Sequence, residues 1–156
     1  MKEQHKCVLV CCVLCILAVV LTTGIVYIRM ETNYSIIVTV DDLRSVADSS
    51  NLGLLKIDLR DEEDYEAGHI EGFINIPSKN GDEVKEYIQA HNGISKRIVL
   101  LCYSGKRSST VFNALYQEKY KKISCCFIGY DEYAGAVEGF VPETGPCKCK
   151  DENLID

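Results

Sequence analysis

Apolar residues follow two different patterns along this chain. From Cys7 to Ile28 an almost unbroken apolar run contains no charged residue. From residue 36 onward, short apolar runs alternate with amphipathic stretches. The first pattern is typical of a helix in apolar surroundings, and the second is typical of a domain in which buried strands alternate with helices.

The second pattern predicts the order of the elements. Strands are predicted in the β-rich runs at 36–38, 54–58, 73–76, 97–101 and 123–128. Helices are predicted over 41–47 with Asp41 as N-cap, over 83–90, from Ser108 onward and over 131–137, and the acidic stretch 61–67 is predicted to be turn-like or briefly helical. The run 97–101 is apolar on both faces, as in a strand of a parallel sheet. The alternation predicts an α/β fold, with a mainly parallel central sheet flanked by helices.

The N-terminal run is long enough for a membrane span, because roughly 20 helical residues cross a bilayer core. Lys2 and Lys6 precede it, Arg29 follows it, and Tyr27 lies near its end. We expect an uncleaved transmembrane helix, with a cleaved signal peptide or a buried core helix as alternatives. The excess of positive charge before the run favours a single-pass protein with its domain on the extracytoplasmic side.

These patterns divide the chain into five segments. They are a short charged N-terminus (1–6), a transmembrane anchor (7–28), a connector (29–35), one α/β domain (36–142) and a polar cysteine-containing tail (143–156). A chain of 156 residues suits one such domain.

Charge limits the classes of partner. The chain carries −6, and residues 1–30 contribute a net +2, so the remainder carries −8. Nucleic acid is therefore not expected as a partner, because phosphates require clustered lysine and arginine. A small anionic substrate remains compatible, since a local pocket can oppose the net charge.

Nine cysteines are present, four in the apolar run and five in the rest of the chain. Cys7, Cys11, Cys12 and Cys15 lie in the apolar run, as apolar fillers or sites of S-acylation. No pair among the other five has zinc-knuckle spacing, so neither a structural metal nor another cofactor is expected. Cys147 and Cys149 form a candidate redox pair. They are alternatively exposed thiols, or disulfide partners of Cys125 or Cys126.

A cysteine directly follows the most clearly predicted strand. Cys102 occupies the carboxyl end of that strand, where open α/β sheets bind their ligands. The following loop contains Gly105, and a helix is predicted near Ser108. The loop N–H groups and the helix N-terminus both favour a negatively charged sulfur. Because the thiolate is the reactive form, we predict that Cys102 is an activated nucleophile rather than a structural cysteine.

Three segments resemble signature motifs of the rhodanese homology domain, over roughly residues 35–142. In the first segment, Asp58-x-Arg60 is similar to the family's Asp-x-Arg strand end, and Gly68 to Pro77 is similar to Gly-His-Ile-x-Gly-Ala-x-Asn-Ile-Pro, with Phe73 in place of alanine. The second segment, Cys102 to Ser108, is similar to the active-site loop Cys-x-x-Gly-x-Arg-Ser.

The third segment lies near the end of the domain. Gly129 to Tyr133 is similar to the family's Gly-Gly-x-x-x-Trp segment. Ile128 stands where the first glycine is usual, and Tyr133 stands where tryptophan is usual. Both departures concern packing and leave the cysteine loop unchanged.

The resemblance implies a sulfurtransferase. Cys102 would accept a sulfane sulfur from a donor such as thiosulfate or a persulfide, and pass it from a Cys102 persulfide to cyanide or a thiol. The implied substrate-binding residues are Tyr103, Ser104, Gly105, Lys106, Arg107 and Ser108, whose amides cradle the persulfide. Lys106 and Arg107 are candidates for binding an anionic donor, and Tyr103 stands where many members have arginine. Asp58, Arg60 and His69 are implied scaffold residues.

Two other classes fit parts of the pattern. Cysteine phosphatases and arsenate reductases have Cys-x5-Arg, whereas Arg107 gives Cys-x4-Arg here, a shorter ring that suits sulfur better than phosphate. A non-enzymatic module that binds or senses sulfur or redox state at a membrane is the main alternative, because a fold alone does not establish a function.

Overall fold

The computed structural model describes residues 12–22, 35–91 and 96–147. The chain separates into two compact units, Met1–Asn33 and Tyr34–Asp156. Within the first unit, helix α1 is described over residues 12–22. The parts of the predicted anchor at 7–11 and 23–28 lie outside the described residues.

The predicted membrane location is contradicted. Among the described residues, no helix combines the length and the apolar character that crossing a membrane requires. The prediction of a single-pass protein with an extracytoplasmic domain rested on apolar composition, and is wrong by this finding.

The second unit is an α/β domain, which confirms the predicted fold class. Its strands are β1 (Ser35–Ile37), β2 (Leu54–Asp58), β3 (Ile74–Asn75), β4 (Arg97–Leu101) and β5 (Ile123–Cys126). Its helices are α2 (Val40–Ala47), α3 (Glu62–Ala67), α4 (Asp82–Ala90), α5 (Lys106–Gln117) and α6 (Tyr130–Ala136). The strands form one sheet in the order β1-β5-β4-β2-β3, and every described pair is parallel.

Strand β4 lies at the centre of the sheet, between β5 and β2. Leu100 aligns with Ile57 of β2 and with Cys125 of β5. The backbone N–H of Leu59 donates to the Leu101 carbonyl at 2.8 Å, which continues the ladder past the end of β2. The loops that follow β4 and β2 therefore begin side by side at one edge of the sheet.

Alternation along β4 divides the core into two clusters. Ile98 and Leu100 face one side of the sheet, where Val111 and Leu115 of α5 and Val84 and Ile88 of α4 cover them. Val99 and Leu101 face the other side, in a cluster with Leu43 of α2 and Tyr133 of α6. Both faces of β4 are thus buried, as its continuous apolar sequence predicts.

Several boundaries differ from the predicted ones by one or two residues. Helix α2 begins at Val40, because Thr39 rather than Asp41 is its N-cap and its Oγ1 accepts the Asp42 N–H at 3.1 Å. Helix α5 begins at Lys106 rather than Ser108, directly after the left-handed Gly105. Strand β5 ends at Cys126 rather than Ile128, and the Phe127 carbonyl closely approaches Gly105 in the loop after β4.

Candidate active site around Cys102

The sulfur of Cys102 lies at the carboxyl end of the central strand and against the first turn of α5. Cys102 is only 1% exposed. Its Sγ accepts a hydrogen bond from the backbone N–H of Ser108, with the nitrogen 3.4 Å away. N–H groups in the first turn of a helix have no partner within the helix, and they carry the positive end of its dipole. This contact can therefore stabilise negative charge on the sulfur.

The loop from Cys102 to Gly105 is held by the segment that follows β5. Tyr130 N–H donates to the Cys102 carbonyl at 2.8 Å. A side chain at Gly129 would place its Cβ 1.7 Å from the Tyr103 carbonyl oxygen. Gly105 has φ +82°, and a Cβ there would lie 2.1 Å from the Phe127 carbonyl oxygen. Two backbones therefore approach each other as closely as glycine allows.

Ser108 carries a buried hydroxyl for which the described residues supply no partner. The residue is 0% exposed. Its Oγ is the one buried side-chain nitrogen or oxygen without a hydrogen bond in the described part of the chain. Such a hydroxyl costs about 1–3 kcal/mol, and in native structures it calls for an explanation. Its position in the same turn as the N–H that contacts Cys102 connects it with the sulfur site.

Arg107 is bound to the neighbouring loop after β2. Its Nη1 donates to the Leu59 carbonyl at 2.6 Å and to Asp61 Oδ1 at 3.0 Å. The hydrogen bond from Arg107 is the main reason that the pKa of Asp61 lies below its usual value. The guanidinium thus has two oxygen partners outside the Cys102 loop.

Tyr103 reaches the same loop from the residue next to the nucleophile. Its hydroxyl donates to Asp64 Oδ2 and lies 3.3 Å from Asp61 Oδ2, and it accepts the Asp61 N–H at 3.1 Å. Burial, followed by the hydrogen bond to Asp64, raises the pKa of Tyr103 to about 12. The phenol therefore remains protonated near neutral pH.

A buried ion pair stabilises the end of β2. Arg60 Nη2 donates to Asp58 Oδ2 at 2.8 Å and to the Gly68 carbonyl at 2.7 Å, and both charged side chains are almost fully buried. The guanidinium also lies 3.6 Å from the centroid of the Tyr130 ring. This pair thereby connects β2, the turn at residue 68 and the beginning of α6.

His69 is buried in a structural setting. Its ring stacks on Tyr65 with centroids 3.8 Å apart, and its Nδ1 lies 2.9 Å from the Tyr65 carbonyl oxygen. Its Nε2 lies 3.5 Å from Glu143 Oε2, and the two backbones exchange hydrogen bonds of 2.8 and 2.9 Å. These contacts fasten residues 143–147 to the turn that follows α3.

The remaining cysteines differ in their surroundings. Cys125 and Cys126 are free and buried, and burial raises the pKa of both thiols. Cys147 is disulfide-bonded and its Sγ accepts the Asn75 N–H at 3.1 Å. Cys149 lies outside the described residues, so the redox role of Cys147 and Cys149 stays a prediction.

The most prominent cavity lies away from Cys102. It has a volume of about 450 Å³ beside β3 and the segment 143–147, and Tyr65, His69, Tyr87 and Cys147 contribute to its walls. No residue of the Cys102 loop lines it. Among the described residues, no group of three or more His, Cys, Asp or Glu side chains could hold a metal ion. The groups suited to sulfur chemistry therefore lie outside this cavity, in the loop that begins at Cys102.

Comparison with solved structures identifies the same fold elsewhere. A rhodanese-like domain protein from Staphylococcus aureus superposes with a TM-score of 0.54 at 20% identity, over 71% of this chain and 98% of that one. The single-domain sulfurtransferase RDL2 from Saccharomyces cerevisiae superposes with a TM-score of 0.53 at 19% identity, over 65% and 89% of the two chains. At these identities the likeness establishes the fold alone.

Sequence comparison establishes the family. The chain is 28% identical over 86 residues to "Putative sulfur carrier protein YrkF" of Bacillus subtilis (strain 168), over 53% of this chain. It spans 42% of that relative's length. The family model for the rhodanese-like domain matches residues 39–136, more than half of the chain. The similarity of the motifs around Asp58, Gly68 and Cys102 therefore reflects a family relationship, and the chain belongs to the rhodanese-like domain family.

Proposed function

We propose that this protein is a sulfurtransferase that carries a sulfane sulfur on Cys102 as a persulfide. The observation that carries the proposal is the contact between Cys102 Sγ and the Ser108 N–H at the first turn of α5. Two similar proteins, one named as a sulfurtransferase and one as a putative sulfur carrier, support the same chemistry.

The reaction proceeds in two displacements on sulfur. In the first, the Cys102 thiolate attacks the outer sulfur of the donor, a new S–S bond forms, and the donor's S–S bond breaks. Thiosulfate releases sulfite in this step, and a hydropersulfide releases a thiolate. In the second, an acceptor attacks the outer sulfur of the persulfide and restores the Cys102 thiolate. Cyanide yields thiocyanate, and a thiol yields a new persulfide.

Ser108 contributes to the persulfide state in this proposal. Its N–H already contacts Cys102 Sγ, and its buried hydroxyl has no partner in the described structure. An outer sulfur added to Cys102 gives that hydroxyl an acceptor, and hydrogen bonds to a charged acceptor are stronger than neutral ones. The amides of Tyr103 to Lys106 complete the proposed cradle.

Intact-mass analysis tests the proposal directly. The full chain is incubated with thiosulfate or with cysteine hydropersulfide, alongside Cys102→Ser and Cys125→Ser. We expect a gain of one sulfur atom, removed by cyanide, in the wild type and in Cys125→Ser but not in Cys102→Ser. A folded wild-type protein that gains no sulfur from either donor would refute the transferase and favour a binding or sensing module.

A further inference from the structure

The arginines near Cys102 are engaged by other parts of the domain. Arg107 donates to the Leu59 carbonyl and to Asp61. Arg60 is buried, with its guanidinium bonded to Asp58 and the Gly68 carbonyl. Each guanidinium is therefore already paired with a carboxylate, whereas a compact dianion is bound best by a guanidinium that is free of other anions.

Acidic residues instead lie around Tyr103, the residue next to Cys102. Tyr103 holds Asp64 through its hydroxyl and Asp61 through the Asp61 N–H. Both aspartates are exposed to solvent at this position. On the opposite flank, the Asp131 N–H donates to the Tyr103 carbonyl at 3.3 Å, which brings the acidic first turn of α6 to the same residue.

This arrangement is maintained near neutral pH. The phenol of Tyr103 stays protonated, because its pKa is about 12, and it therefore remains a donor to Asp64. Asp61 stays ionised, because its hydrogen bond from Arg107 lowers its pKa. Lys106 is an exposed cation of the same loop, and it has no ion-pair partner in the ranges that the structure describes.

We propose that Tyr103, together with Asp61 and Asp64, makes the Cys102 site selective for singly charged hydropersulfide donors over dianionic thiosulfate. The inference rests on the proposed function and specifies its donor. The Coulomb repulsion energy between fixed carboxylates and the donor is proportional to the donor's charge. The unfavourable energy of a dianion is therefore twice that of a monoanion, and its effect on kcat/KM is twice as large on a logarithmic scale. One unpaired lysine offsets one negative charge.

The step itself is balanced with a hydropersulfide. The Cys102 thiolate attacks the outer sulfur of the singly charged donor R–S–S⁻, a new S–S bond forms, and the donor's S–S bond breaks to release R–S⁻. The donor's negative charge stays on the transferred sulfur, so the product is a Cys102 persulfide anion. No oxidant or reductant is consumed.

The experiment measures kcat and KM for loading Cys102 from thiosulfate and from cysteine hydropersulfide. The variants are Asp61→Asn, Asp64→Asn and Tyr103→Arg. The control is Glu86→Gln, which removes the same charge from an exposed residue of α4. Each aspartate variant should raise kcat/KM about tenfold for thiosulfate and about threefold for cysteine hydropersulfide, mainly through KM, because Coulomb energy scales with donor charge.

Two further results sharpen the test. The gains should shrink at about 0.5 M salt, because exposed charges are screened. Tyr103→Arg should lower KM for thiosulfate by at least about tenfold, because a positively charged guanidinium replaces the phenol that holds Asp61 and Asp64. Equal changes for both donors, or the same changes in Glu86→Gln, would overturn the selectivity. Absence of any Cys102 persulfide in the wild type would instead refute the proposed function.

Discussion

The loops after β4 and after β2 begin side by side, yet different kinds of groups fix their shapes. The loop after β4 contacts its sulfur through a backbone N–H, and its shape depends on two glycines, Gly105 and Gly129, that let backbones meet. The loop after β2 is organised by charged side chains, with Asp58 and Arg60 buried as a pair.

The difference indicates a division of roles within one edge of the sheet. Backbone donors are fixed by the chain itself and need no long side chain to be ordered, so they suit a site that holds a single sulfur atom. Charged side chains can join elements that are far apart in sequence, as Arg60 does between β2 and the turn at residue 68. The following substitutions test that division, in order of decreasing effect.

Gly129→Ala should have the largest effect, because its Cβ would lie 1.7 Å from the Tyr103 carbonyl oxygen. Neither backbone can move without breaking the hydrogen bond between Tyr130 and Cys102. We expect a loss of about 5 kcal/mol in the free energy of unfolding, the exceptional end of single substitutions. Urea denaturation measures it.

Gly135→Ala is the matched control for this prediction. Gly135 lies within α6 and a Cβ there meets nothing within 4 Å. Replacing a helical glycine by alanine should stabilise the domain by up to about 1 kcal/mol. Equal effects of the two substitutions would mean that the close approach at Gly129 is unimportant.

Asp58→Ala should be the next most damaging. It leaves the Arg60 guanidinium buried without its carboxylate, and removing one partner of a buried pair costs about 3–5 kcal/mol. Asp61→Ala breaks the Arg107 ion pair at a side chain that is 58% exposed, and should cost at most about 1 kcal/mol. Comparable losses in the free energy of unfolding for Asp58→Ala and Asp61→Ala would show that burial does not decide how much each ion pair contributes to stability.

Tyr65→Phe should cost about 1 kcal/mol near neutral pH, because the Tyr65 hydroxyl donates to the Phe73 carbonyl at 2.6 Å. Burial raises the pKa of Tyr65 from 10.0 to about 12. Between these values the unfolded chain loses this proton and the folded chain keeps it, so wild-type stability falls as pH rises. Denaturation at pH 8, 10 and 11.5 should show a smaller decline in the variant. If the stability of the variant declines with pH as much as that of the wild type, other tyrosines cause the loss of stability at alkaline pH.

Ser108→Ala should have the smallest effect on stability, since it removes a buried hydroxyl that has no partner. We expect a change within about 1 kcal/mol, or a slight gain. Loading of Cys102 should nevertheless fall several-fold, because the variant lacks the proposed donor to the outer sulfur. Ser109→Ala should show the opposite pattern, with a loss of about 0.5–1.5 kcal/mol and unchanged loading, because its hydroxyl donates to the Gly105 carbonyl. A loss of loading in both variants would argue against a specific role for Ser108.

Much of the fold followed from local patterns. Strand β4 was predicted with its observed bounds, because the continuous apolar run itself marks where a strand buried on both faces begins and ends. The end of α3 at Gly68 was likewise predicted from a single residue. The N-cap of α2 was predicted at Asp41, whereas Thr39 is the residue whose side chain accepts a helix N–H. The N-terminal apolar run was predicted to span a membrane, whereas no helix among the described residues is long and apolar enough to do so.

Local sequence was sufficient for the α/β order of elements, the family and the position of Cys102 after the central strand, because these depend on periodicity and on residues close together in the chain. The binding of Arg107 and the contacts of Tyr103 emerge only from the packing of the folded domain. Their partners, Asp61 and Asp64, lie about forty residues earlier and are brought near by the pairing of β2 with β4. The same packing decides which glycine is indispensable, since the close approach at Gly129 is to a backbone that belongs to another loop. Contacts between distant segments arise from packing, and local sequence carries no direct record of them.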